Sequence, residues 1–275
     1  MSPRVSAGKR FLKRWARRAV AVASRSVGSG RNNRLSSGLR ILTYHRIAAD
    51  RGDPFAVSPA DFQRQAEELV ASGTVVALEE ALAQIEQGSA ETPRIAMTFD
   101  DGTADFYSEA LPVLAQYRLP ATLYVNPSRV GKDGFVNWDQ LRDVLATGIQ
   151  VGSHSLDHVS LGALEMEEVR RQVHESRQIL QDQLGSEVTS LAYPYGTLRD
   201  FSRRVKEEVG RAGYRSACTS LNGVNREGAD LLELRRTKVE QGDDPIFSWM
   251  LRGCMDCWGF IDLHFPFIQS RYAQR

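Results

Sequence analysis

The sequence predicts an α/β domain built on a parallel sheet, open or closed into a barrel. Two observations carry that prediction. Short apolar, β-branched runs alternate with helical patterns over about 200 residues, the signature of βα units. The residues able to do chemistry stand at the carboxyl ends of those runs, where parallel α/β folds gather their sites. The expected strands are residues 40–44, 74–78, 94–99, 121–125, 150–153, 190–193, 215–218 and 231–239. Helical patterns lie between them near residues 59–72, 79–87, 106–117, 138–147, 165–184 and 200–212. Asn137 and Gln140 have the spacing of a capping box in front of a helix that starts at Trp138. No internal repeat or low-complexity block is present.

A chain of 275 residues is long enough for one large α/β domain or two small ones. Its net charge of +1 hides an asymmetry, because residues 1–40 hold eleven of the 35 basic residues and no acid. The other 24 basic residues face 34 acidic ones, so the body is acidic and carries a basic arm. That profile excludes a dedicated nucleic-acid binder. The expected division is an arm and linker over 1–38, an α/β domain over 39–245, and an aromatic-rich extension over 246–275.

Residues 8–27 place Phe11, Leu12, Trp15, Ala19, Val22 and Ala23 at helical spacing among Lys and Arg. Such a helix either lies on an anionic membrane surface, remains solvated, or packs on its own domain. Its uncharged run, residues 19–23, is too short for a signal-peptide core or a membrane span. The expectation is a cytoplasmic protein, peripheral at the inner membrane face. Three cysteines (Cys218, Cys254 and Cys257) form no disulfide framework, which suits a reducing compartment. Cys254 and Cys257 have CxxC spacing, but no second pair completes a zinc site, so plain thiols are expected.

Four groups fall at predicted strand ends. The strand 94–99 runs into Asp100-Asp101-Gly102, two adjacent anions that repel unless they serve different purposes. His154 closes the strand 150–153 and His158 follows four residues later, a spacing that in a helical turn puts both imidazoles on one face. The stretch AYPYG, residues 192–196, has Pro194 and Gly196 to shape a turn that aims a backbone N–H into the cleft. The apolar strand ILTY delivers His45 to the same rim. One carboxylate and two histidines with open positions form a catalytic rather than structural type of metal site. The second aspartate would then be free to act as a general base.

The motifs TFDDG, HSLDH and YPYG resemble those of the NodB-like polysaccharide deacetylases, carbohydrate esterase family four, over residues 40–239 and in the family's order and spacing. The resemblance implies a distorted (β/α)7-type barrel and metal-dependent removal of acetyl from N-acetylated sugars. It implies Asp100 as catalytic base, Asp101, His154 and His158 as ligands of a divalent ion, expected to be Zn²⁺, and the Tyr195 N–H, beside Pro194, as oxyanion donor.

Two departures stand out. Ala192 occupies the position where the family's third motif often begins with an arginine, so the charge that orients the base must come from elsewhere, with Arg235 or Arg236 as candidates. The family's acid histidine usually sits on a late strand, which points to His264. In the branch acting on poly-N-acetylglucosamine that strand is permuted to the front, and ILTYHRI resembles that branch, so His45 is the expected acid. Trp138 is a further site candidate. The expected substrate is an N-acetylhexosamine unit of an exopolysaccharide or its lipid-linked precursor. An O-acetyl esterase or deformylase using the same metal, and a non-catalytic glycan-binding relative, are the competing readings.

Overall fold

The computed structural model describes residues 15, 17–23, 37–50, 52–88 and 92–264; residues 8–14 of the arm, most of the linker and the last eleven residues lie outside them. Seven parallel strands form one sheet in the order β8-β7-β6-β5-β4-β1-β9. They are β1 (Gly38–Tyr44), β4 (Pro93–Phe99), β5 (Thr122–Val125), β6 (Gln150–Ser153), β7 (Ser190–Ala192), β8 (Ser216–Cys218) and β9 (Arg236–Lys238). The two edges nearly meet. Cys218 bridges Leu234, Thr219 N–H donates to Leu234 C=O, and Arg236 N–H donates to Leu221 C=O. The result is a nearly closed barrel. A separate two-stranded pair, β2 (Arg46–Ile47) with β3 (Ala56–Val57), stands beside β1.

Alternation along the strands builds two packed layers, because successive side chains point to opposite faces. Leu39 and Ile41 of β1, Ala96 of β4, Tyr124 of β5, Ala192 of β7 and Cys218 of β8 share one buried cluster inside the barrel. Leu78, Ala81, Leu82 and Ile85 of α3 (Leu78–Glu86) join it. Leu42, Tyr44, Ile95, Met97, Phe99, Leu123, Val151 and Leu191 belong to the larger outer layer under the helices. Those helices include α2 (Pro59–Ser72), α4 (Leu111–Tyr117), α5 (Trp138–Ala146), α6 (Met166–Leu184) and α7 (Arg203–Arg211). The expected capping box of α5 is present, with Asn137 Oδ1 accepting from Gln140 N–H and Gln140 Oε1 accepting from Asn137 N–H.

Two expected strands differ. Residues 74–78 make only a bridge, Val75 to Ile95, because Gly73 caps α2 in the left-handed region and α3 already starts at Leu78. Residues 231–239 open as a 3₁₀ turn, Leu231–Glu233, and only Arg236–Lys238 pair with β1. Asp230 initiates that turn by accepting from Leu232 N–H.

Both ends of the described chain pack on the β1/β9 side. Helical residues 17–23 (α1) bury Arg17, which makes two hydrogen bonds to the Asp243 carboxylate, and Ala21, which joins the outer layer. Trp15 stays 63% exposed and Val22 51%. In α8 (Phe247–Leu251), Phe247, Met250 and Leu251 are core residues, and Cys254 and Met255 follow them inside. Arg40 holds this segment by donating to Asp256 and to Leu251 C=O. The helix α9 (Trp258–His264) buries Asp262 against Asn222 and leaves Phe260 outward. No helix of the described residues is long and apolar enough to cross a membrane.

Candidate active site

The strand β4 explains the paired aspartates. Ala96, Thr98 and Asp100 alternate toward the barrel interior, so Asp100 continues the inward series. There Arg236 of β9 meets it bidentately, with Nη1 to Oδ1 and Nη2 to Oδ2 both 2.7 Å. Arg236 and Asp100 are each 2% exposed. Burial alone would raise the Asp100 carboxyl. The Arg236 guanidinium, with His154 and His45 nearby, overrides that and holds it below the usual carboxylate range.

Asp101 lies past the strand with φ 73°, a left-handed conformation that turns it away from its neighbour. Gly102 follows at φ 66°. The Asp101 carboxylate meets His158 Nε2 at 3.1 Å and His154 Nε2 at 3.6 Å. One donor atom from each of Asp101, His154 and His158 lies within 4.8 Å of the others.

The donors suit a metal ion. His154 Nδ1 is 2.7 Å from Ala192 C=O, which only accepts, so Nδ1 carries the proton and Nε2 presents its lone pair to Asp101. Burial pushes the His154 pKa down to about 4, so the ring is neutral near neutral pH, as a ligand must be. Asp101 Oδ1 is buried yet lies in hydrogen-bond geometry with no donor among the described residues, the His158 contact being out of line. Burial would raise the Asp101 carboxyl, but His158 and then His154 hold it well below its usual range.

The histidines do not share a helical turn, as their spacing had suggested. Residues 154–158 form a bend with φ 62° at Ser155 and φ 58° at His158, held by His158 N–H donating to Ser155 Oγ. The turn brings the rings to 5.0 Å at 72°. Asn126, at the end of β5, donates from Nδ2 to the His154 and Ser155 carbonyls and fixes this loop. Sequence reasoning missed Asn126; its signal was one amide at a strand end.

Tyr195 adopts φ 62° and packs its ring edge-on against His158 at 5.0 Å. Its N–H meets no acceptor among the described residues, while Gly196 N–H donates back to Pro194 C=O. A Cβ on Gly196 would stand 2.6 Å from Ser220 N, so the turn requires glycine. His45 follows β1 directly, and its Nε2 lies 3.9 Å from Asp100 Oδ2. The Phe55 ring tilts against it at 5.0 Å, a contact the sequence did not announce. His264 instead stacks on Phe260 at the exposed α9, and Trp138 packs on the core at the first turn of α5. Ala192 supplies no charge to Asp100; the guanidinium that meets it is that of Arg236, on β9. Arg235 turns outward and donates to Asn222 C=O.

Fold and site together define a nearly closed parallel β/α barrel with an Asp/His/His group at its strand ends. Residues 87–217 match the family model for polysaccharide deacetylase, and the chain carries a polysaccharide deacetylase domain of the NodB kind. The Bacillus subtilis protein YxkH is 25% identical over 206 residues, 74% of this chain and 72% of that protein. The Staphylococcus aureus poly-β-1,6-N-acetyl-D-glucosamine N-deacetylase is 25% identical over 171 residues, 57% of this chain and 59% of that enzyme. The Streptococcus pyogenes deacetylase PplD, solved with acetate, superposes with a TM-score of 0.71 at 22% identity, covering 79% of this chain and 99% of PplD.

Proposed function

We propose that this chain removes N-acetyl groups from N-acetylhexosamine units of a polysaccharide or its lipid-linked precursor. The observation that carries the reading is the division of the aspartates, Asp100 locked inward to Arg236 and Asp101 turned outward to two histidines. Asp101, His154 and His158 would hold a divalent ion, Zn²⁺ by donor type, which when bound polarises the acetyl carbonyl and offsets negative charge on its oxygen.

The protein's own groups divide the remaining work. Asp100 takes the proton of the water that attacks the carbonyl carbon. Arg236 keeps that carboxylate ionised and fixed in direction. The Tyr195 N–H donates to the oxyanion, a contact whose loss typically costs about 10²–10³ in rate. His45, protonated, gives its proton to the sugar nitrogen as the C–N bond breaks, leaving acetate and a free amine. Acid and base assistance of this type is worth about 10²–10⁴ each. The 3.9 Å between His45 Nε2 and Asp100 Oδ2 supports this pairing of acid and base.

Metal analysis together with acetate release tests the reading. Stoichiometric metal and acetate from N-acetylglucosamine oligomers are expected. Acetate from O-acetylated glycans alone would make the chain an esterase, and a metal-free inert protein would make it a glycan binder. Attachment to an anionic membrane surface through residues 8–27 is supported by the outward Trp15 and Val22 of a helix anchored by Arg17. Co-sedimentation with anionic vesicles, lost in Trp15→Ser, is the corresponding test.

A further inference from the structure

Arg129 stands at the rim of the cleft in a segment tied to both halves of the site. On one side Ser128 N–H donates to Leu156 C=O, beside the His154–His158 bend. On the other, Val136 N–H donates to Gly102 C=O and Phe135 bridges Thr103, next to Asp101. The Arg129 guanidinium lies over the Phe135 ring, 5.4 Å from its centroid. Burial raises the Tyr195 hydroxyl's pKa and the Arg129 charge pulls it back, so this cation is within electrostatic reach of the ring that packs on His158.

Two other cations near the site are matched internally. Arg236 is neutralised by Asp100, and Arg46 pairs with Asp105 and Asp53. Arg129 has no carboxylate at ion-pair distance among the described residues; its recorded side-chain contact is the Phe135 face. An arginine stacked on an aromatic ring keeps the in-plane N–H edge of its guanidinium available, and that edge matches carboxylate or phosphate oxygens in pairs. A divalent ion held by Asp101, His154 and His158 would add further positive charge nearby. A neutral sugar does not need such a group.

We infer that Arg129, carried on Phe135, binds an anionic group of the glycan, a carboxylate or phosphate within one sugar of the scissile acetamide. The inference rests on the N-deacetylase reading and names the charge class of its substrate.

The test compares three N-acetylglucosamine tetramers on the zinc-loaded protein: neutral, carrying a reducing-end phosphate, and carrying lactyl carboxylates on alternate sugars. One of the two anionic tetramers is expected to exceed the neutral one in kcat/KM by about tenfold, the worth of one charge-assisted contact. The preferred one identifies the anion. Arg129→Gln should collapse that ratio toward one, Arg129→Lys should keep part of it, and raised salt should weaken it in the parent only. A ratio near one in the parent, or one that Arg129→Gln leaves unchanged, overturns the inference. If no tetramer is deacetylated, the N-deacetylase reading fails separately. Dissociation constants for the same three ligands, by calorimetry, then decide the anion preference by the same ratio.

Discussion

Replacing Arg236 by methionine would leave the Asp100 carboxylate inside the barrel without a counter-charge. Two hydrogen bonds of 2.7 Å disappear at once, between groups each 2% exposed. Breaking one side of a buried pair typically costs about 3–5 kcal/mol, mostly from the stranded charge. That is a large part of a typical domain's stability. The stranded group also responds electrostatically: burial, no longer overridden by Arg236, pushes the carboxyl pKa up. A general base with a raised pKa is protonated over a wider acid range, so the acid limb of the kcat/KM profile should move to higher pH. Urea denaturation of Arg236→Met, Asp100→Asn and the double variant measures the coupling, and the pH–rate profile of Arg236→Met measures the proton. The double variant should recover more than half of the stability lost in Arg236→Met, because the charge is gone. A loss below about 1 kcal/mol, or a double variant no more stable than Arg236→Met, would refute the assignment of this pair as what steadies Asp100.

Asp100→Asn should abolish acetate release with zinc content intact, whereas Asp101→Asn should lose zinc as well; mass spectrometry and plasma emission separate the two. In the metal-free protein His154, with a folded pKa near 4 against an unfolded value near 6.5, makes the unfolded state the better proton binder between those values. Stability should therefore fall as pH drops from about 6.5 to about 4, by roughly 3 kcal/mol for that group, and His154→Gln should flatten the slope in thermal scans. At pH 8 the native protein should expose one thiol to a disulfide reagent, Cys257, because Cys218 and Cys254 are buried and burial pushes both thiols up, Cys254 to about 12; unfolding should expose three. Ala192→Arg should destabilise the parent by crowding a second guanidinium beside Arg236, yet restore part of the activity of Arg236→Ala, read as kcat.

The βα order was legible because apolar runs of the right length alternate with helical patterns, and the site was legible because strand ends concentrate chemistry in this architecture. Asp100, Asp101, His45 and His154 were findable as polar residues terminating apolar strands, and His158 by its spacing from His154. What stayed hidden depended on distance or on backbone sign. Arg236 is 136 residues from Asp100, and nothing local marks it rather than Arg235 as the inward residue. The register Ile41 to Arg236 decides this, and strand pairing between chain ends is not written in either segment. His158 reached Asp101 through two left-handed residues, Ser155 and His158, which side chains of these types rarely adopt and no spacing rule anticipates.

Strand alternation makes the two aspartates chemically unlike before any ion is present. A side chain ending an inward series must find its counter-charge within the barrel, where Tyr124 flanks the Arg236 guanidinium. The next residue leaves the strand, and a left-handed φ sends its carboxylate to the rim. The source of the inner cation is therefore free to differ, as long as it arrives from a strand facing the same interior. Ala192 faces that interior from β7, and Arg236 enters it from β9. An arginine on either strand could reach Asp100 while the outer carboxylate and the two histidines stay where they are.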